Sequence, residues 1–169
     1  MPEKCFQVLF LCTGNSARSI MAEAILRHVG QARFNACSAG STPAGEVNPL
    51  AIEILEYEGI GTESLHSKNW VSFAGEEASE FDFIFTLCDS AARETCPAWS
   101  GQPITAHWGI ADPAAVEGAD IDKRRAFTQA FQQLYRRINL LVNLPLEKLD
   151  DLCIRNQVEA IGQLQDHSV

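Results

Sequence analysis

The sequence predicts an α/β fold in three layers: a four-stranded parallel sheet flanked by helices, with one extra helix at the C-terminal end. Three observations carry this reading. Short apolar runs such as Val8-Leu9-Phe10-Leu11 are too short for buried helices, and segments with apolar residues at helical spacing follow them. Strands that alternate with helices need crossover connections, which make them parallel and cover both faces of the sheet. With 169 residues and 46% apolar composition, the chain can build one real core, and a second independent domain is not expected.

Taken in order, Cys5 to Leu11 reads as the first strand, with Cys5 packing at its start as a small hydrophobe. Ser19 to about His28 is the first helix, and Gly30 is its stop. Phe34 to Ser41 is a second short strand that ends in a small-residue turn. Pro43 to Gly45 turns again, and Asn48-Pro49 opens a helix whose face is Leu50, Ile52, Ile54 and Leu55, up to Gly59. A connector over Gly59 to Lys68 leads to a short helix and acidic loop over Asn69 to Glu80. Phe81 to Leu87 is the third strand, and Gln102 to Trp108 the fourth. Lys123 to Leu144 carries Phe127, Ala130, Phe131, Leu134, Ile138 and Leu141 on one helical stripe. Pro145 resets the chain, and Leu146, Leu149, Leu152, Cys153, Val158 and Ile161 pattern a final amphipathic helix. Residues 1–145 are therefore the domain proper and 146–169 a helical extension, which either packs back on the core or serves a dimer.

The formal net charge of -9 argues against nucleic acid or an anionic membrane as partner, since both need a basic face. An anionic substrate must then be held by a local positive site working against the global field. No apolar stretch approaches the roughly 20 residues of a membrane span, and Met1 to Cys5 lacks the apolar core of a signal peptide, so a cytoplasmic protein is expected. In that reducing compartment the six cysteines read as reactive or core thiols rather than a disulfide framework, and they lack zinc-like CxxC spacing.

The chemistry concentrates after the first strand, in Cys12-Thr13-Gly14-Asn15-Ser16-Ala17-Arg18-Ser19. A small-polar loop between a strand and a helix aims backbone N–H groups and the positive helix end at one point, where an oxyanion would sit. The same field favours thiolate over thiol at Cys12, and the Arg18 fork can bind two oxygens of one anion. The competing reading is a core cysteine followed by an ordinary helix cap at Ser16 or Ser19. The strand before it, the Gly-Asn pair within it and the helix after it favour the oxyanion site. Cys88 and Cys96 flank a polar segment leaving the same sheet rim, so a thiol relay with Cys12 is chemically open if that segment unwinds. Asp112-Pro113 follows the fourth strand, where Asp112 reads as a helix cap or Asx turn on local grounds alone.

The Cys12 loop closely resembles the active-site loop of the low-molecular-weight protein tyrosine phosphatase superfamily, which includes the arsenate reductases of the same fold, and the resemblance runs to about Gly118. It implies residues 12–19 as the oxyanion cradle: Thr13, Gly14, Asn15, Ser16, Ala17, Arg18 and Ser19. It implies Cys12 as nucleophile, Arg18 as clamp, Asp112 as general acid, and Ser38 of the Ser38-Ala39-Gly40 turn as support. Cys88 and Cys96 resemble the redox pair of the reductases, with a spacing of seven intervening residues slightly longer than in thioredoxin-coupled members. Ala114 and Ala115 stand where tyrosine phosphatases carry ring-binding tyrosines, which suits a bare oxyanion. Lys68 stands where some reductases have an acidic ligand for a monovalent cation near Asn15, Glu23 and Ser38, so an ammonium replaces the ion and no metal is expected. The implied activity is reduction of arsenate to arsenite, an arsenic detoxification step, with no bound cofactor and an external thiol as reductant, either thioredoxin or glutathione with glutaredoxin. A phosphotyrosine or phosphomonoester phosphatase and a redox-sensing oxyanion-binding module are the alternatives.

Overall fold

The computed structural model describes residues 4–74, 80–93 and 99–164. Its sheet has four strands, β1 (Phe6–Leu11), β2 (Phe34–Ala39), β3 (Phe83–Thr86) and β4 (Ile104–His107), in the order β2-β1-β3-β4. All three pairings are parallel, as crossover connections require. The helices are α1 (Arg18–Gly30), α2 (Pro49–Tyr57), α3 (Asp89–Arg93), α4 (Asp120–Val142) and α5 (Asp151–Gly162), with short 3-10 turns between them.

Alternation along the strands sends Val8, Phe10, Phe83 and Phe85 to one face, where they meet α1, α2 and α4 in the main core. Phe85 stacks on Trp108 with ring centroids 4.0 Å apart. The fully buried Trp108 donates its indole N–H to the Val158 carbonyl at 2.9 Å, which ties α5 to the end of β4. Leu9, Leu11, Ala39 and Ile84 line the opposite face under Trp70, Phe81 and Trp99. α1 is buried nearly all round from Ser19 to Leu26, as a helix sandwiched between a sheet and α4 must be.

The stripe expected on the long helix is buried at all six of its positions, while the helix itself begins at Asp120 rather than Lys123. Residues 146–164 pack back on the common core through Leu146, Ile154, Val158 and Ile161. Leu152, expected on that apolar face, is 68% exposed instead, because two residues before Ile154 lies on the other side of a helix turn. The short helix expected from Asn69 is a single 3-10 turn, Trp70–Phe73, capped by the Asn69 side chain. Residues 75–79 of the acidic loop, and Cys96 with its neighbours 94–98, lie outside the described residues. Among the described residues no helix is long and apolar enough to cross a membrane.

Candidate active site

Leu11 pairs with Ala39 on one side and with Thr86 on the other. β1 therefore ends at the centre of the sheet, where the chain crosses first outward to β2 and later back to β3. Such a reversal opens a crevice beyond the carboxyl ends of the strands. Residues 12–18 fill its floor. Their carbonyls are taken by outer backbone: Thr42 N–H donates to Thr13 O at 3.0 Å, Ala44 to Gly14 at 2.9 Å and Asn48 to Ser16 at 2.8 Å. In a trans peptide the N–H points opposite to the carbonyl, so the next residues' amides turn the other way. The first turn of α1 carries no side-chain cap, so the cap at Ser16 or Ser19 that the competing reading required is absent and helix-end N–H groups stay open to an anion.

The loop is held from behind by a buried polar network. Asn15 adopts the left-handed region (φ 44°), which asparagine tolerates better than most residues. Its side-chain amide donates to Ser19 Oγ at 2.8 Å and Ser38 Oγ at 3.0 Å, and its carbonyl oxygen accepts from Lys68 N–H at 2.9 Å. Ser38 in turn donates to Glu23 Oε1 at 2.8 Å. The Lys68 ammonium stands 3.4 Å from the same carboxylate oxygen and 3.5 Å from Ser38 Oγ. Arg27 Nη1 lies 3.1 Å from the other oxygen, a charge contact without hydrogen-bond alignment. Glu23 is fully buried, and a carboxylate there needs these cations. A monovalent cation among Asn15, Glu23 and Ser38 would stand against the Lys68 ammonium, so these residues do not fit one. Gly40 completes the support: a Cβ there would meet Thr13 O at 2.4 Å and Cys12 O at 2.6 Å.

The mouth is a cleft of about 410 Å³ lined by the loop together with Cys88, Asp89, Ser90, Asp112 and Ala114. Arg18 donates to the Ile110 carbonyl at 2.9 Å, and its other Nη lies 3.7 Å from Asp112 Oδ2. Asp112 Oδ1 accepts from Ala114 N–H at 3.0 Å. The local cap and the carboxylate facing the cleft are thus the same side chain, using one oxygen for each. Ile110, whose carbonyl steers the guanidinium, was not marked by any sequence signal, because a backbone oxygen leaves none.

Cys88 comes to Cys12 because β3 is the neighbour of β1, and Leu87 N–H donates to Leu11 O at 2.9 Å just before it. The Cys88 sulfur accepts from Ala91 N–H at 3.4 Å and lies 3.5 Å from Thr13 Oγ1. A hydrogen bond from Cys12, aided by Thr13 and the Ala91 amide, pushes the Cys88 thiol down to about 5 although burial opposes it. Cys12, the donor in that bond and itself buried, is pushed well up against the pull of Arg18 and the Gly14 N–H. The pair gives up one proton readily and holds the second. The expectation of a thiolate at Cys12 therefore concerns a pair of sulfurs: the loop and Arg18 pull the Cys12 thiol down, and the Cys88 thiol beside it competes for the charge.

The sequence matches the model of the low molecular weight phosphotyrosine protein phosphatase family over residues 7–153. An arsenate reductase of Halalkalibacterium halodurans is 35% identical over 131 residues, covering 78% of this chain and 91% of that protein. Among solved structures, an arsenate reductase in the phosphate binding state superposes with TM-score 0.64 at 26% identity over 81% of this chain and 96% of the other. The thioredoxin-dependent arsenate reductase of Corynebacterium glutamicum gives TM-score 0.55 at 25% identity, covering 83% of this chain and 65% of its own. A strand-loop-helix cradle with cysteine and arginine at its two ends, at the central reversal of a four-stranded parallel sheet, and a family match spanning nearly all of it, place this chain in the low molecular weight phosphotyrosine protein phosphatase family.

Proposed function

We propose that this chain is an arsenate reductase that works by nucleophilic cysteine chemistry and a thiol relay. The observation that carries the reading is that Cys88 is buried in one cluster with Cys12 and lines the same cleft, because hydrolysis of a phosphate ester has no use for a second thiol at the nucleophile. The names of its relatives support it. Arsenate is held by the N–H groups of residues 13–19 and by Arg18. A proton shift across the sulfur pair leaves thiolate on Cys12, which attacks arsenic while Asp112 protonates the departing hydroxyl to water. Cys88 then attacks Cys12 Sγ. The S–S bond forms as the S–As bond breaks, the electron pair stays on arsenic, and arsenite leaves with the Cys88 proton. Two thiols are oxidised to one disulfide, and As(V) is reduced to As(III).

Cys96 is proposed as the third thiol, on the grounds of its position in sequence after Cys88. It attacks Cys88, frees Cys12 and carries the disulfide outward, where thioredoxin, or glutathione with glutaredoxin, reduces it. The test is arsenite production set against aryl phosphate hydrolysis on one preparation, with each thiol system supplied in turn. Cys88→Ser should lose arsenate reduction and keep aryl phosphate hydrolysis, while Cys96→Ser should accumulate the Cys12 to Cys88 disulfide after one turnover. Normal arsenate reduction by Cys88→Ser would sink the relay.

A further inference from the structure

From the rim of the oxyanion cleft, where Asp89 stands, a chain of three side chains ties α3 to the end of the sheet. β3 and β4 pair Thr86 with His107. Thr86 Oγ1 lies 2.8 Å from His107 Nδ1, and His107 Nε2 lies 3.0 Å from Asp89 Oδ1. A carboxylate only accepts, so Nε2 carries the proton that Asp89 receives. The ring has a prepared seat: a Cβ on Gly109 would stand 2.8 Å from His107 Nε2, and one on Gly162 of α5 would stand 2.5 Å from the His107 carbonyl. Asp89 is the first residue of α3, directly after Cys88.

Among the described residues α3 has few other anchors. It is five residues long, Ala91 is its one buried residue, and a cleft of about 660 Å³ lies along it between Ala91, Ala92 and, at the end of α5, Glu159 and the capping residue Gln163. Yet the sulfur-to-sulfur step needs Cys88 in line with Cys12, and the Ala91 N–H that bonds the Cys88 sulfur belongs to this same turn.

We propose that His107 is a positioning residue for Cys88, acting through Asp89: the Thr86, His107 and Asp89 chain anchors the first turn of α3 and keeps the Cys88 sulfur seated for its attack on Cys12. This rests on the reductase reading of the site. In the step it serves, Cys88 Sγ bonds to Cys12 Sγ, the Cys12 S–As bond breaks, and its electron pair reduces arsenic. His107 does not line the oxyanion cleft, so its link serves the sulfur-to-sulfur step rather than capture of the anion.

The test uses the full chain, wild type and His107→Ala, in two assays: hydrolysis of p-nitrophenyl phosphate, and a single turnover with arsenate quenched by alkylation and mapped for the Cys12 to Cys88 disulfide. The link is partly exposed, so His107→Ala should slow disulfide formation by about fivefold, with phosphate hydrolysis unchanged. His107→Gln, whose amide can still donate to Asp89, should recover the rate. Wild-type disulfide formation in His107→Ala overturns the proposal, and so does an equal fall in both assays, which marks a merely structural role. If the wild-type enzyme hydrolyses the phosphate ester but makes no arsenite, the reductase reading itself fails, and the proposal falls with it.

Discussion

At the scale of single residues, the site is governed by side chains that serve two partners. Asp112 caps the 3-10 turn with one oxygen and faces Arg18 with the other, so Asp112→Asn separates the roles. Asparagine caps as well as aspartate but cannot act as an acid, and turnover should fall about 10²–10⁴-fold with unfolding midpoints unchanged. An unchanged rate would leave the cap as its only role. The sulfur pair makes a second prediction. Cys88 is brought from its ordinary 9.0 to about 5 chiefly by the Cys12 hydrogen bond. Removing that donor in Cys12→Ala should move the ultraviolet thiolate titration of Cys88 upward, toward the ordinary thiol range. The sign for stability follows: between 9.0 and about 5 the folded chain binds fewer protons at Cys88 than the unfolded chain, so this contribution is full above pH 9.0 and is lost as pH falls to about 5. A titration midpoint in Cys12→Ala no higher than that of the wild type would refute the shared-proton account.

At the scale of elements, the long apolar patterns were legible and the short segments were not. The stripe on α4 is read directly from six positions, because period 3.6 over that length admits no other structure. The same holds for α2, whose Asn48 side chain accepts from Leu50 N–H at 2.9 Å with Pro49 at the first position, as that pair of residues announces. α3 and the 3-10 turns are too short for periodicity to mark, and contacts from elsewhere hold them. α5 supplies a sharper test. Gly162 packs where a Cβ would meet His107 O at 2.5 Å and the Trp108 ring at 2.6 Å, neither of which is the end of a flexible side chain. Gly162→Ala should therefore cost about 1–3 kcal/mol by overpacking, read as a lower denaturant midpoint. No change in midpoint would mean that α5 is not clamped to β4.

For the whole molecule, the core decides how the chain unfolds. One cluster runs from Phe6 on the first strand to Ile161 on the last helix, so far-ultraviolet ellipticity and tryptophan fluorescence should report a single coincident transition. Truncation after residue 148 uncovers Trp108 and removes Ile154, Val158 and Ile161, side chains worth about 1.5–3 kcal/mol each when fully buried. The truncated chain should unfold at clearly lower denaturant, and two separate transitions in the full chain would contradict the shared core. The net charge of -9 makes the positive cradle of backbone N–H groups and Arg18 a local exception.

The sequence by itself determined the local chemistry. The loop from Cys12 to Arg18, its strand and its helix are contiguous, and contiguous residues constrain one another through short-range sterics and hydrogen bonds that a single sequence displays. It also determined the core stripes, since burial is written as periodicity. The order of the strands was decided only in three dimensions. Parallel strands joined by crossovers can be arranged in several ways with the same apolar pattern, and it is the placement of β3 beside β1 that brings Cys88 to Cys12 and couples the two thiols. The Lys68 ammonium against Glu23, the Ile110 carbonyl on Arg18 and the His107 link to Asp89 are of the same kind. Each joins segments distant in sequence through one polar contact, and such contacts leave no periodic trace because they depend on where the backbone ends up rather than on how it repeats.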